Sequence, residues 1–209
     1  KKNKLYNWRG HSDTEILLEA IEEFSLENTL RKINGMFAFA LWDNKNKELF
    51  LVRDRFGEKP LYWGFANSEN YPKKEAFVFS SEISGIFSLK GFHKSINYDS
   101  LSNYFQNGYI NQPYTIQENI NQLLPGEVLR IKPNKKGLFD KKNITKYFWW
   151  DSKKLFNESF NTKKLFDRKE DQLYIYQLEK ILQKVVNQQS SSTDMPVGCF
   201  LSGGIDSSL

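Results

Sequence analysis

The sequence predicts an α+β fold, in which a front part built on antiparallel strands is followed by the beginning of an α/β unit. Aromatic-rich segments separated by polar turns run from residue 36 to residue 65. A long amphipathic segment at 171–189 precedes the apolar run "PVGCFL", which is typical of a strand buried in a parallel sheet. At 209 residues the chain can form one large domain, or one domain plus part of another.

Two helices are predicted at the start of the chain. The apolar residues of segment 12–24 recur at helical spacing and lie on one face: Ile16, Leu17, Ala20, Ile21 and Phe24. A second, shorter helix buries Leu26, Leu30 and Ile33 and is expected to end at Asn34-Gly35, because glycine adopts the left-handed conformation common after helix ends.

Strands dominate the next part of the chain. Segments 36–43, 47–54 and 60–65 are predicted as an antiparallel meander, with a polar turn between the first two. We predict a further strand at residues 77–80, a short helix at residues 81–89, and a helix at residues 99–109 that ends at Gly108. A Pro-Gly turn then leads into a strand in "LLPGEVLRIK".

The character of the sequence changes from Pro133 to about Lys169, where lysine, asparagine and isolated aromatics show no sustained period. This stretch is interpreted as connecting sequence. We therefore predict domains at 1–150 and 169–209, with a connector at 151–168. The second begins with the amphipathic helix of residues 171–189.

Composition excludes several classes of protein. The net charge of +5 is spread among asparagine-rich stretches and 25 acidic residues, which does not favour nucleic-acid binding. There is no apolar run of about 18 residues and no signal-like segment, so we expect a cytoplasmic protein without a membrane partner. The one cysteine, Cys199, excludes an intrachain disulfide, and His11 and His93 are too far apart to indicate a zinc site.

The stretch "LSGGIDSSL" carries the strongest chemical signal. Gly203 and Gly204 allow backbone N–H groups to approach an anion, and serines near the start of a helix suit phosphate. A carboxylate beside a phosphate requires a cation between them, so Asp206 points to Mg²⁺. The Walker pattern and its lysine are absent, which favours cleavage of ATP between its α- and β-phosphates. The alternative is a Gly-Gly turn with a serine helix cap.

Two further motifs have structural interpretations. "SDTE" at residues 12–15 forms a capping box for the first helix, in which Ser12 and Glu15 cap and Asp13 stays free to point outward. In "RDRFGEKP", Gly57 and Pro60 shape a loop. Its charged residues are expected to form a partly buried ion-pair network without a chemical role: Arg53, Asp54, Arg55 and Lys59.

These motifs together resemble the glutamine-hydrolysing asparagine synthetases. "DMPVGCFLSGGIDSSL" is similar to their ATP-pyrophosphatase loop, while "GHSDTE", "INGMFAFALWD" and "RDRFGEKPLYW" resemble their class II glutaminase domain. The resemblance implies an Ntn-type glutaminase sandwich followed by the start of an adenine nucleotide alpha hydrolase-like domain. It implies that Asp13 binds the α-amino group of glutamine and that Asp206 binds Mg²⁺. The residues that it implies bind ATP are Leu201, Ser202, Gly203, Gly204, Asp206, Ser207 and Ser208.

The resemblance implies an ATP-dependent ligase that amidates aspartate through a β-aspartyl-AMP intermediate, with ammonia taken from glutamine. Glutamine, aspartate and ATP are thus the expected partners, and a homodimer is a candidate assembly. The family's nucleophile, a mature N-terminal cysteine, has no counterpart here, since Cys199 lies in an expected buried strand. No catalytic residue is assigned. The chain is therefore expected to be an inactive fragment.

Other functions remain open at this stage. A related amidotransferase would act on another carboxylate acceptor, as in polysaccharide or natural-product pathways and in β-lactam synthetases. A decayed glutaminase fold would serve instead as a non-catalytic scaffold. An RNA-modifying ATP pyrophosphatase shares the loop but not the motifs between Gly10 and Trp63.

Overall fold

The computed structural model describes residues 8–10, 12–68, 71–89, 94–161, 171–192 and 195–208. The chain divides into two compact units, Lys1–Leu155 and Phe156–Leu209. Helix α5 (Ser152–Asn161) begins before this division and ends after it.

The front unit alternates short helices with antiparallel strands. Its other helices are α1 (Asp13–Phe24), α2 (Leu26–Lys32), α3 (Ile83–Phe87) and α4 (Tyr98–Asn107). Its strands are β1 (Ala38–Asp43), β2 (Glu48–Arg53), β3 (Tyr62–Ser68), β4 (Tyr71–Ser80), β5 (Ile120–Gln122), β6 (Glu127–Pro133) and β7 (Phe139–Phe148).

The strands form two antiparallel sheets, with orders β1-β2-β6-β7 and β4-β3-β5. Strands β1 and β2 pair as predicted, Ala38 opposite Arg53. The predicted three-stranded meander is wrong, because β3 belongs to the second sheet, where it pairs with β4 and β5. The loop of residues 54–61 carries the chain from one sheet to the other. Its backbone N–H groups donate to the side chain of Asp54, where a meander would have hydrogen bonds between strands.

Side-chain alternation along β2 and β6 builds a layered core. Leu51 and Leu129 point into a cluster that also contains Trp63 of β3, so this cluster lies between the two sheets. Val52 and Val128 point the other way and pack against Leu30 of α2. On the far side of the second sheet, Ile86 of α3 packs against Val78 and Ile120. The layers are therefore helix, sheet, sheet, helix.

The predicted helices of the front unit are confirmed, with shifts of one to two residues at several boundaries. Ser12 caps α1, and Gly108 closes α4 in the left-handed conformation, with φ of 78°. Helix α2 ends at Lys32, ahead of Asn34-Gly35, because Ile33 already takes an extended conformation. The strand predicted at 77–80 and the helix predicted at 81–89 correspond to β4 and α3.

Strand β7 corrects the interpretation of residues 133–169 as connecting sequence. It pairs with β6 continuously from Phe148 opposite Glu127 to Ile144 opposite Ile131, and again at Phe139 opposite Pro133. It is an edge strand with no fully buried residue, and its exposed residues include Lys141, Lys142 and Lys146. An edge strand of this kind lacks the apolar alternation by which strands are recognised in a sequence.

The rear unit contains α6 (Asp171–Ser190), as predicted, and the short helix α7 (Ile205–Ser208). The strand predicted for "PVGCFL" is absent, since residues 196–202 have no regular structure and Phe200 is 99% exposed. A parallel strand needs hydrogen-bonded neighbours, and the part of this unit that the structure describes contains no strand. No helix in the described ranges is long and apolar enough to cross a membrane.

Buried charge links β2 to its neighbour β6. The carboxylate of Glu48 is buried and accepts two hydrogen bonds from Arg130, at 2.5 Å to Nε and 2.8 Å to the terminal nitrogen. Lys132 forms a second ion pair with it. The hydrogen bonds from Arg130 hold the pKa of Glu48 below its ordinary value of 4.5. The charged form of Glu48 therefore stabilises the fold.

We expect this contribution to disappear in acid. Because the pKa of Glu48 is lowered on folding, its contribution is complete above the unfolded pKa near 4.5 and is lost as the pH falls through the folded value. Glu48→Gln should be less stable than the original protein at pH 7, and the gap should narrow below pH 4.5. Urea unfolding of both proteins at several pH values measures this, and a gap independent of pH would contradict it.

Candidate functional site

The predicted glutamine-binding residue, Asp13, is the first residue of α1 and is exposed to solvent. Ser12 precedes it in an extended conformation, and its Oγ accepts a hydrogen bond from the backbone N–H of Thr14 at 3.2 Å. Ser12 thus caps the helix, as predicted. The hydroxyl of Thr14 donates to the carboxylate of Asp13 at 3.4 Å. The Asp13 carboxylate remains accessible at the positive end of the helix.

Glu15 binds different partners from those of the predicted capping box. Its carboxylate accepts the backbone N–H groups of Arg9 at 2.9 Å and Gly10 at 3.0 Å. These bonds hold the segment before α1 against the helix start. An open cavity of about 390 Å³ lies at this point, lined by Trp8, Arg9, Gly10, Ser12 and Ile16. Nothing in the sequence besides Glu15 itself indicates its hydrogen bonds with residues 9 and 10.

The loop of residues 54–61 is organised by the buried carboxylate of Asp54. It accepts four backbone N–H groups, those of Phe37 at 3.3 Å, Phe56 at 3.1 Å, Glu58 at 2.9 Å and Lys59 at 3.0 Å. The charge is therefore neutralised by N–H dipoles. Asp54 fixes the loop between the two sheets.

The predicted ion-pair network of this loop is wrong. Arg53 is buried and donates to the carbonyl oxygens of Gly57, Lys59 and Leu123, and burial lowers the pKa of its guanidinium. Arg55 donates to the carbonyl of Ile33 at 2.9 Å. Backbone carbonyl groups thus take the place of the expected carboxylate partners as hydrogen-bond acceptors.

The same two arginines join the loop to other parts of the front unit. The guanidinium of Arg55 lies 4.8 Å from the ring of Trp149, which is a favourable cation–π distance. The indole nitrogen of Trp149 in turn donates to the carbonyl of Arg53 at 3.0 Å. The position of the loop therefore depends on the segment that follows β7.

The predicted ATP loop is a tight turn at the start of α7. Gly203 has φ of 77°, which favours glycine. The Oγ atoms of Ser202 and Ser207 lie 3.0 Å apart, and Ser207 also donates to the carbonyl of Gly204 at 3.2 Å. The structure thus brings these two serines together, while Leu201 and Ser208 are exposed. The side chain of Asp206 lies outside the part that the structure describes.

Cys199 is exposed, which corrects the expectation of a buried thiol. The expectation depended on a strand at residues 196–201, and this strand is absent. Among the described residues, none forms a hydrogen bond with the Cys199 thiol, so no base is positioned to activate it as a nucleophile.

Two facing antiparallel sheets between helical layers place the front unit in the class of α+β sandwich domains. Residues 1–149 match the family described as "Glutamine amidotransferase domain". The chain belongs to this family. Residues 177–209 match a second family, described as "Asparagine synthase".

Curated relatives cover nearly the whole chain. It is 35% identical over 199 residues to a putative asparagine synthetase (glutamine-hydrolyzing) of Methanocaldococcus jannaschii, which covers 94% of this chain and 34% of the relative. It is 34% identical to asparagine synthetase 3 of Bacillus subtilis, covering 96% and 29%. For the Rattus norvegicus asparagine synthetase the identity is 28%, covering 98% and 31%. The resemblance predicted from the motifs is confirmed. The chain spans about a third of the length of these relatives.

Proposed function

We propose that this chain provides the glutaminase part and the start of the synthetase part of a glutamine-hydrolysing asparagine synthetase. The observation that carries this proposal is the order of the two matches, amidotransferase at 1–149 and synthase at 177–209, with "SGGIDSS" at the start of α7 in the second. We assign 1–150 to an Ntn-type glutaminase domain, 151–168 to a connector and 169–209 to the start of a nucleotide-binding domain.

The front domain would release ammonia from glutamine. Asp13 would bind the α-amino group of the substrate, because an exposed carboxylate attracts an ammonium group and the neighbouring Ser12 lines the open cavity. Glu15 would support this site indirectly by holding residues 9 and 10 in place. None of the described residues is assigned as the nucleophile.

The rear loop would bind ATP during formation of an adenylate. A pyrophosphate group would accept hydrogen bonds from the backbone N–H groups of Gly203 and Gly204. The hydroxyls of Ser202 and Ser207 would donate further hydrogen bonds to it, so that no lysine is needed to bind it. Asp206 would hold Mg²⁺, which would neutralise phosphate charge. Attack of the aspartate carboxylate on the α-phosphorus would give β-aspartyl-AMP and pyrophosphate. Ammonia would then displace AMP to give asparagine.

Glutamine, aspartate and ATP are the proposed small-molecule partners, and we propose a cytoplasmic enzyme that assembles as a homodimer. Neither a nucleic acid nor a membrane takes part in this reaction. The net charge of +5 does not favour a nucleic-acid partner, because the basic residues are interspersed with 25 acidic ones.

The products of the full-length protein test this function. With glutamine, aspartate and Mg-ATP it should form asparagine, AMP and pyrophosphate in equal amounts, and Asp206→Asn should lower asparagine formation by at least about 100-fold. Asp171→Asn is the matched control, because it removes a carboxylate at the start of α6 outside the loop.

Three results would contradict the proposal. Release of ADP and phosphate would exclude an adenylate, and ATP-dependent amidation of another carboxylate but not of aspartate would assign the protein to a related amidotransferase. Complete inactivity towards glutamine and ATP would indicate a scaffold.

A further inference from the structure

Strand β1 lies at one edge of its sheet, with β2 on one side and no described strand on the other. In an antiparallel pair, only alternate residues direct their N–H and C=O groups towards the partner strand. The remaining backbone groups of β1 therefore point away from the sheet, along about 20 Å of extended chain. Such a row of unpaired groups is a template for pairing with a further strand.

The other three sheet edges each carry a feature that discourages such pairing. Strand β7 presents exposed lysines, and its register with β6 is interrupted. The register between β4 and β3 is interrupted as well. Strand β5 has only three residues, which leaves little backbone to pair with.

None of these features occurs in β1. Its sequence "AFALWD" contains no lysine, arginine, proline or glycine, and it pairs with β2 without a shift from Ala38 opposite Arg53 to Asp43 opposite Glu48. Its one charged residue, Asp43, lies at the end of the strand, where its carboxylate accepts N–H groups of the following turn. Strand β1 is therefore a regular, apolar and unprotected edge.

The apolar side chains of β1 are also incompletely covered. Ala38 packs against the cluster between the two sheets, so Ala40 and Trp42, which share its face, are directed to the same side. The ring of Trp42 meets that of Phe139 edge-on at 6.4 Å between centroids. Nevertheless, Ala40 is exposed and Trp42 is 45% exposed. The interior of the sandwich is thus open beside β1.

A further strand of the same polypeptide is the occupant that these observations favour. The chain spans about a third of the length of its curated relatives, so most of their length has no counterpart within residues 1–209. A strand from the same polypeptide pairs without the loss of translational freedom that binding of a second molecule costs. Pairing of a six-residue strand with a second copy does not by itself reach the roughly 1,200 Å² that stable interfaces bury.

We infer that the free edge of β1 pairs, in the whole protein, with a further β-strand of the same polypeptide that lies outside residues 1–209. The added strand extends this four-stranded sheet by one and places apolar residues beside Ala40 and Trp42. This inference rests on the part of the proposed function that makes the chain one portion of a longer protein. It does not rest on the proposed reaction.

Hydrogen exchange of the full-length protein, resolved to single amides by mass spectrometry, tests the pairing. If β1 gains a neighbour, the amides of residues 39–42 should all be protected to a similar degree. If β1 remains an edge strand, every second amide should exchange at least about 100-fold faster than its neighbours. Strand β7 is the matched control, because its protected edge should keep this alternation.

Two variants of the full-length protein identify the occupant. Replacement of Trp42 by the photo-cross-linking residue p-benzoylphenylalanine should give a cross-link to a peptide of the same chain outside residues 1–209. Ala40→Lys places a charge on the side that the added strand covers, so it should speed exchange throughout β1 by at least about tenfold. Thr145→Lys, at an exposed position of β7, should leave exchange in β1 unchanged.

The exchange pattern of the unaltered protein keeps the test decisive even if Ala40→Lys fails to fold. The inference is overturned if alternate amides of β1 exchange rapidly, or if Trp42 cross-links only within residues 1–209. It is overturned equally if mixing labelled and unlabelled protein shows that the cross-linked peptide belongs to a second copy, or if a folded Ala40→Lys variant exchanges like the original protein. None of these measurements depends on catalysis, so a protein with protected β1 that forms no asparagine contradicts the proposed reaction alone.

Discussion

Asp54→Ala is expected to lower the free energy of unfolding by about 3–5 kcal/mol, because it leaves buried backbone N–H groups without an acceptor. Asp54 is 1% exposed, and its carboxylate accepts the N–H groups of Phe37, Phe56, Glu58 and Lys59. These bonds determine the path of the loop between the two sheets. Denaturant unfolding followed by tryptophan fluorescence measures the loss.

Two further variants isolate the cause. Asp54→Asn preserves the size of the side chain but places an amide where only acceptors fit, so it should be destabilised nearly as much as the alanine variant. Asp43→Ala removes a carboxylate that also accepts backbone N–H groups, from Lys45 and Asn46, but at the end of β1, where these bonds are exposed to solvent. Its loss should be much smaller, because water replaces the lost bonds. Equal losses for Asp54→Ala and Asp43→Ala would contradict this account.

Local patterns were sufficient to predict most elements of the front unit. The periodicity of α1, the pairing of β1 with β2 and the closure of α4 by Gly108 depend on neighbouring residues. The assignment of strands to sheets does not depend on neighbouring residues, because β2 pairs with β6, which lies far from it in the sequence. Short or edge strands such as β5 and β7 carry too little apolar alternation to be recognised.

The candidate sites show the same division. Ser12 and the turn at Gly203 were predictable, since caps and glycine turns are decided within a few residues. The reach of Glu15 to residues 9 and 10 and the backbone partners of Arg53 depend on how the folded chain directs each side chain. Charge alone led to the wrong expectation of an ion-pair network. A buried arginine or aspartate can be satisfied by backbone dipoles just as well as by an opposite charge.

Asp13→Asn should raise the KM for glutamine of the full-length protein by about 10- to 100-fold, through loss of a charge-assisted hydrogen bond to the substrate ammonium. Asparagine synthesis from added ammonium salts should be unchanged, because that reaction bypasses glutamine. The carboxylate of Asp13 is exposed and does not cap the helix. The substitution should therefore leave the stability of the protein nearly unchanged.

Ser12→Ala is the matched control, because it alters the neighbouring residue and removes the cap of α1. It should cost about 1 kcal/mol of stability, since the N–H of Thr14 loses its acceptor. Ser12 lines the cavity but carries no charge that binds an ammonium group, so the KM for glutamine should rise much less than in Asp13→Asn. The two variants thus separate substrate binding from capping at adjacent positions. If Asp13→Asn instead destabilises the protein and spares the KM, then Asp13 serves the helix, and the glutamine site must be sought elsewhere in the front unit.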